Sequence, residues 1–325
     1  MSEAAAQPET FDPSESAGFG LAEPWGAVSR TVDLDGEVHY VEWAGPTGAK
    51  GESAPPVLLV HGLGGSHLNW VLLGQRLAQH YRVYALDLAG FGLTRATDRS
   101  ASVQHNSKLV RRFLDEVVED DAILIGNSMG GLISTMVTSR VPDRVRGVVL
   151  LAPALAAPKS RPQDAVRSLG TLVTAPVRRN VRRRLGRSVT VAGEVEFMLR
   201  LCIARWELAD RDVVEAHIDL AHAQTGFREQ ARAFREAGQT MINALVRHGV
   251  TAARLAKMGM PVLLVQGTLD RLVPVSAARW AANLNDSWRY VEMPGVGHVP
   301  MLEVPDETYE AITDWAQDEL GDSFD

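Results

Sequence analysis

A serine, an aspartate and a histidine stand in glycine-rich surroundings in three separate parts of the chain. Ser128 lies in the motif Gly126-Asn127-Ser128-Met129-Gly130-Gly131, directly after the short apolar run Ala122–Ile125. A G-x-S-x-G pattern between a buried strand and a helix is typical of a nucleophilic serine, because the glycines leave room for a strained turn that exposes the hydroxyl. The motif alone also occurs by chance, and a small-residue turn that packs a helix on a sheet is the alternative. Its position after a strand favours a nucleophile.

A serine hydroxyl is a weak nucleophile and needs a base to accept its proton. His298 is the candidate base, since its glycine-rich loop follows the strand-like stretch Trp288–Glu292. Asp270 follows the run Val262–Val265 and would orient that base by accepting from its other ring nitrogen. The alternatives are a surface-loop histidine, and an aspartate that forms a turn or pairs with Arg271. The order serine, aspartate, histidine favours a catalytic set of Ser128, Asp270 and His298.

Acyl transfer also requires N–H donors for the oxyanion that develops in the transition state. One candidate is the backbone N–H of Met129, the residue after the nucleophile. The second is the N–H of Leu63, in the glycine-rich loop His61-Gly62-Leu63-Gly64-Gly65-Ser66 that follows the run Val57–Val60. We therefore predict an oxyanion hole made of Leu63 and Met129.

Cysteine and histidine spacing gives no indication of a metal or cofactor. The single cysteine, Cys202, excludes a disulfide framework and a zinc site with two or more cysteines, and we expect it to be a packed thiol. The remaining histidines show no H-x-H or H-E-x-x-H pattern. A dinucleotide fingerprint after Val57–Val60 lacks its third glycine, because His67 occupies that position. We expect no metal and no cofactor.

Short apolar runs alternate with amphipathic segments of helical length, as in a parallel α/β sheet covered on both faces. Two strand-like stretches, Ala27–Leu34 and Glu37–Trp43, come first, joined by an Asp-Gly turn. The further runs predicted as strands are Val57–Val60, Val83–Leu86, Ala122–Ile125, Val148–Leu151 and Val262–Val265, and the segments predicted as helices are Asn69–His80, Val103–Val118 and Met129–Arg140. Val262–Val265 is followed by Ala277–Leu284, Trp288–Glu292 and a helix near Asp306–Leu320.

Between about Leu155 and Val250 the alternation stops, and only helical patterns are found. One α/β domain with a helical insertion explains this better than two sequential domains. We predict a mobile tail over 1–25, a core formed by 26–154 and 251–325, and a helical cap formed by 155–250. The apolar segment Phe197–Trp206 belongs to this cap, and most of its side chains are expected to pack in the cap's own core. Any part of it that lines the pocket would imply a substrate with an apolar part.

The composition and net charge of the chain indicate which classes of partner and which location to expect. With 46% hydrophobic residues the chain can form a sizeable core, and a net charge of −7 gives no reason to expect nucleic acid. No signal peptide and no membrane-spanning run are found, which suggests a soluble cytoplasmic protein. The arginine-rich stretch Arg178–Arg187 is best interpreted as a solvated helix face; contact with anionic lipid or an anionic substrate is the alternative.

These motifs together resemble the α/β-hydrolase superfamily over residues 30 to 320. The resemblance rests on His61-Gly62, Asp87–Gly92, Gly126–Gly131, Gly267–Pro274 and Gly297-His298. It implies a mostly parallel eight-stranded sheet, a Ser-Asp-His triad and a helical cap after the sixth strand.

Epoxide hydrolases and haloalkane dehalogenases of this fold carry aspartate where Ser128 stands. Carbon–carbon bond hydrolases of ring-cleavage products usually carry tryptophan where Val299 stands. The sequence from His298 to Glu303 looks more like esterases and lipase-like hydrolases.

The expected activity is hydrolysis of a small-molecule carboxylic ester through an acyl-enzyme, with no cofactor. Two alternatives remain open. One is hydrolysis of a carbon–carbon bond in ring-cleavage products, and the other is a non-catalytic binding relative. Cofactor-free haloperoxidases share the triad, so peracid chemistry would be a side activity.

Overall fold

The computed structural model describes residues 18–47, 53–155 and 190–324. Eight strands form one sheet in the order β1-β2-β4-β3-β5-β6-β7-β8. The strands are β1 Val28–Asp33, β2 Glu37–Trp43, β3 Pro56–Val60, β4 Arg82–Leu86, β5 Ala122–Asn127, β6 Val145–Leu151, β7 Val262–Gly267 and β8 Arg289–Met293. Strand β2 pairs antiparallel with both β1 and β4, and every other pair is parallel. This confirms the predicted fold class.

Alternate side chains of the central strands enter two separate cores. In β3, Leu58 and Val60 join one buried apolar cluster, whereas Val57 and Leu59 join the other on the opposite face. Both faces are covered by helices: α1 Val71–Leu77, α2 Val103–Phe113, α3 Met129–Thr138, α4 Val191–Cys202, α5 Arg211–Ala223, α6 Gln230–Val246, α7 His248–Leu255, α8 Val275–Ala282, α9 Pro300–Glu303 and α10 Pro305–Leu320. Burial on two faces explains why these strands are continuous apolar runs.

The expectation of a mobile tail through residue 25 is wrong for residues 18–25. Ala22 is fully buried, and Glu23–Trp25 form a 3₁₀ turn. The carbonyl of Trp25 accepts a hydrogen bond from the indole N–H of Trp43, at 2.8 Å. Burial of a few apolar residues anchors this segment, although its composition is that of a tail. Residues 1–17 lie outside the described part.

Two predicted helices are shorter and less regular than their patterns. The segment Asn69–His80 begins with a 3₁₀ turn, His67–Trp70, which Ser66 caps, and its α-helical part is only Val71–Leu77. The segment Val103–Val118 is α-helical to Phe113 and then continues as a π-helical turn that ends at Glu119, whose φ is 59°. The apolar pattern is the same in both kinds of turn, so periodicity could not separate them.

Among the described residues between β6 and β7, 190–255 form four helices, α4 to α7, and none of these residues belongs to a strand. We call residues 190–255 the cap helices. The arginine-rich stretch Arg178–Arg187 lies outside the described residues. Within the described ranges, no helix combines the length and apolarity needed to cross a bilayer.

Candidate active site

Ser128 occupies a strained turn between β5 and α3. Its φ and ψ are 54° and −117°, a conformation that non-glycine residues rarely adopt. A Cβ on Gly126 would lie 2.5 Å from the carbonyl oxygen of Gly130, and a Cβ on Gly130 would lie 1.9 Å from that of Val60. Both glycines are therefore required for α3 to start this close to the sheet. The glycines of the G-x-S-x-G motif are thus explained by the lack of space for a side chain at these two positions.

His298 and Asp270 form a buried pair at the carboxyl ends of β7 and β8. The Nδ1 atom of His298 lies 2.8 Å from Oδ2 of Asp270. Because a carboxylate accepts, Nδ1 carries the proton and Nε2 is left as an acceptor. We call residues 294–299, which carry the candidate base, the base loop. The carbonyl of His298 accepts from the Asn127 side chain at 3.0 Å, which ties the base loop to the serine turn.

The other oxygen of Asp270, Oδ1, accepts from the backbone N–H groups of Leu272 at 2.7 Å and Val273 at 2.9 Å. Burial by itself raises the pKa of Asp270, but the charge and hydrogen bond of His298, together with these N–H donors, outweigh it and hold the pKa below its ordinary value. Asp270 is thus ionised at neutral pH. Asp270 therefore forms the turn that was the alternative to a catalytic role, and it contacts His298 as well. Arg271, the other alternative partner of Asp270, donates to the carbonyl of Arg200.

The two predicted oxyanion donors flank the serine. Neither the N–H of Leu63 nor that of Met129 donates to another described residue. A Cβ on Gly62 would lie 3.0 Å from the Cβ of Ser128, so the loop that carries Leu63 reaches the serine closely. His61 holds this loop, because its Nδ1 donates to the carbonyl of Gly62 and its Nε2 accepts from the N–H of Leu88.

Ser128 and His298 line one cavity of about 230 Å³. The loop of residues 62–66 and the cap helices both contribute to its lining. The apolar side chains from the cap are Val195, Met198, Leu199, Leu220 and Ala221. Cys202 also lines the cavity, and burial raises the pKa of its thiol to about 12, as expected of a packed and unreactive group.

One polar cap residue at this cavity, His217, was not singled out from the sequence. Its Nδ1 donates to the carbonyl of Val213 at 2.7 Å, so its Nε2 is an acceptor, and it has no partner among the described residues. Burial lowers the pKa of His217 to about 4, so the ring is neutral near pH 7. His217 lies in a helix and has no recognisable motif around it, so the sequence alone does not indicate that it lines the cavity.

The described residues contain one group with metal-ligand chemistry: His39, His67 and Asp87. All three are fully buried, and Nδ1 of each histidine lies 2.8 to 2.9 Å from Oδ2 of Asp87. The carboxylate also accepts from the N–H groups of His67 and Leu93. The two histidines outweigh the effect of burial, so the pKa of Asp87 is well below its ordinary value. In this arrangement the carboxylate ties together the loops that follow β3 and β4.

The chain belongs to the alpha/beta hydrolase family, whose model matches residues 57–311. The fold is also that of a solved structure, a proposed lipase from Acinetobacter baumannii AYE, with a TM-score of 0.77 and 18% identity. That likeness covers 98% of this chain and all of the other. The family and the eight-stranded fold expected from the motifs are confirmed.

Three curated relatives differ in the activity for which they are named. The chain is 30% identical, over 83% of its length, to the dihydrolipoyllysine-residue acetyltransferase component of an acetoin cleaving system from Cupriavidus necator, and spans 64% of that protein. It is 26% identical to the pimeloyl-[acyl-carrier protein] methyl ester esterase of Yersinia enterocolitica, over 82% of this chain and 95% of the other. It is also 26% identical to the 2-hydroxy-6-oxo-6-(2'-aminophenyl)hexa-2,4-dienoic acid hydrolase of Metapseudomonas resinovorans, over 86% and 88%. Relatives at this distance support hydrolase activity and leave the type of bond open.

Proposed function

We propose that this protein is a serine hydrolase that cleaves carboxylic esters of small molecules through an acyl-enzyme. The observation that carries the proposal is that Ser128, in a strained turn, shares one cavity with His298, whose other ring nitrogen is held by Asp270. A nucleophile, a base and a group that orients the base are the parts that this reaction needs.

In the proposed reaction, Oγ of Ser128 attacks the ester carbonyl while its proton passes to Nε2 of His298. The oxyanion accepts hydrogen bonds from the N–H groups of Leu63 and Met129, and Asp270 stabilises the imidazolium. The imidazolium then protonates the leaving alcohol. Water, deprotonated by His298, attacks the acyl group, and Ser128 leaves with its proton restored.

The cavity lining supports a substrate with an apolar part. Val195, Met198 and Leu199 of α4 line the cavity that contains Ser128, and apolar lining of this kind favours an acyl chain or an apolar alcohol. The methyl ester esterase among the relatives supports the same reaction class. We further propose that residues 155–250 act together as the cap, of which 155 and 190–250 are described.

Hydrolysis of p-nitrophenyl esters of increasing acyl length, by the native protein and by Ser128→Ala, tests the proposal. We expect activity in the native protein and a loss on the order of 10³-fold or more in kcat in the variant. Near-normal activity of a folded Ser128→Ala variant would refute the role of the serine.

Hydrolysis of a carbon–carbon bond is the second candidate, and the relative from Metapseudomonas resinovorans supports it. Val299, where such enzymes usually carry tryptophan, favours the ester. A 2-hydroxy-6-oxo-dienoate assayed beside the esters separates the two functions. Turnover of the dienoate alone would replace the ester proposal, and no turnover of either by folded protein would favour a binding role.

A further inference from the structure

Glu303 is a buried carboxylate whose hydrogen bonds join two distant parts of the chain. Its side chain is completely inaccessible to solvent. Oε2 accepts from the N–H of Gly297, at 2.9 Å, and from the N–H of Ala204, at 3.0 Å. Oε1 accepts from the N–H of Arg205, at 3.0 Å, and from the side chain of Arg205, at 3.4 Å. The first of these donors precedes the base His298, and the others follow helix α4 of the cap.

The same two segments also contact each other directly. The N–H of His298 donates to the carbonyl of Cys202 at 2.7 Å. Gly297 packs so closely against this segment that a Cβ on it would lie 2.3 Å from the oxygen of Cys202 and 2.8 Å from the nitrogen of Ala204. The base loop and residues 202–205 therefore form one hydrogen-bonded unit.

Removal of this carboxylate would leave three backbone N–H groups of the described structure without their acceptor. Hydrogen bonds to a charged acceptor in a dry environment are among the stronger ones, and unpaired buried donors are costly. Glutamine has almost the same shape, but its amide nitrogen cannot accept and would face at least one of these donors. The base loop would then shift away from the cap.

We propose that Glu303 is a positioning residue that locks the end of cap helix α4 to the base loop and so sets the orientation of His298. This inference rests on the proposed function, in which His298 is the base. Residues 202–205 then belong to the scaffold of the active site, and the cap cannot lift at this end without displacing the base. Substrate enters past another part of the cap.

Glu236 provides a matched control, because it is a second carboxylate that joins the cap to the core. It lies on α6 and accepts from the hydroxyl of Ser100 and the N–H of Ala101, which are not part of the base loop. We expect Glu303→Gln to lower kcat at least tenfold on the best p-nitrophenyl ester, with KM within about threefold of the native value. Glu236→Gln should change kcat less than twofold. Glu303→Asp, which keeps the charge, should recover part of the loss.

Proton NMR gives a readout that does not depend on turnover. The Nδ1 proton shared by His298 and Asp270 should give a strongly downfield signal that is absent in His298→Gln. This signal should weaken or broaden in Glu303→Gln and persist in Glu236→Gln. If both carboxylates served folding alone, Glu303→Gln and Glu236→Gln would each lower the melting temperature. The proton signal and the kcat of the folded fraction would then be unchanged in both variants.

A second pair of variants covers the case in which Glu303→Gln does not fold. Gly297→Ala inserts a methyl group between the base loop and the cap, whereas a Cβ on Gly259 would meet nothing within 4 Å. We expect a loss of kcat in Gly297→Ala and native kinetics in Gly259→Ala. Equal kinetics within both pairs, with an unchanged proton signal, would overturn the positioning role. A native protein with the downfield signal but no ester hydrolysis would instead contradict the proposed function.

Discussion

The core beneath Ser128 and the cap helices above it differ sharply in burial. Every residue of β5 and all ten residues of α3 are buried. In the described structure, Leu199 is the one buried residue among the twelve of α4, and α5 has three among thirteen. Dense packing leaves one arrangement for the residues that do chemistry. The part of the cavity wall that comes from the cap helices is much less buried, so we expect its side chains to tolerate substitution better than the proposed catalytic residues do.

Asp270→Asn tests the chemistry of the core and should have the largest effect. The amide oxygen would take the Oδ1 position, where two backbone N–H groups donate, so the amide N–H₂ would face Nδ1 of His298 and select the wrong tautomer. We expect kcat to fall about 10³-fold or more, with little change in KM. Asp210→Asn is the control, because Asp210 caps α5 and asparagine caps equally well. Equal kinetics in the two variants would contradict this role of Asp270.

The difference in burial predicts unequal costs of truncation. Leu59 in β3 is fully buried, whereas Leu208 among the cap helices is 45% exposed. Leu59→Ala should lower the free energy of unfolding by about 2–5 kcal/mol, because it removes core contacts and leaves a cavity. Leu208→Ala should change it by less than about 0.5 kcal/mol. Urea unfolding measures both values, and a similar cost at the two positions would remove the basis of the comparison.

Cap substitutions should alter substrate preference more than rate. Met198 lines the cavity, and its neighbour Phe197 is 42% exposed and does not. We expect Met198→Ala to shift the preferred acyl length upward and to change kcat/KM for short esters by roughly 10- to 200-fold, since a lost methylene contact is worth roughly 1–3 kcal/mol. Phe197→Ala on the same helix should keep the native profile. Identical profiles would show that α4 does not size the pocket.

The stability of the protein should also depend on pH. Burial lowers the pKa of His217 in the cap to about 4, and burial also lowers the pKa values of His39 and His61 in the core. The unfolded chain binds these protons near pH 6.5, so stability is complete above that pH and is lost as the pH falls toward 4. We expect the melting temperature to fall over this range, and to fall less in His217→Gln than in the native protein.

His222→Gln is the control for this effect, because His222 is an exposed residue of the same helix. Calorimetry between pH 7 and 4.5 distinguishes the two variants. If His217→Gln and His222→Gln lose stability in parallel, the burial of His217 does not contribute to the acid response.

Most of the core can be predicted from the sequence, because its strands and its essential glycines are each determined by residues close together in the chain. Short apolar runs mark strands covered on both faces, and Gly126 and Gly130 are needed for the serine turn. The strand ends were missed because β5 and β7 continue into Gly126-Asn127 and Gln266-Gly267, which lack an apolar signature. Polar residues at these ends are nevertheless those that hold the site, since Asn127 and Gln266 donate to His298 and Asp270.

The residues that sequence reasoning did not assign act through tertiary contacts alone. Glu303 binds Ala204 and Arg205, about one hundred positions away, and His217 reaches the cavity from the second cap helix. Neither contact follows from periodicity or from a motif. The candidate catalytic residues can therefore be predicted from the sequence, whereas the contacts proposed to select a substrate depend on how the cap helices pack.

Covalent labelling with a fluorophosphonate tests the central claim most directly. Peptide mapping by mass spectrometry should place one adduct on Ser128, with none in Ser128→Ala and much slower labelling in His298→Ala. The high pKa of the Cys202 thiol predicts no adduct there. An adduct on another residue, or equal labelling in folded Ser128→Ala, would contradict a nucleophilic Ser128 activated by His298 and Asp270.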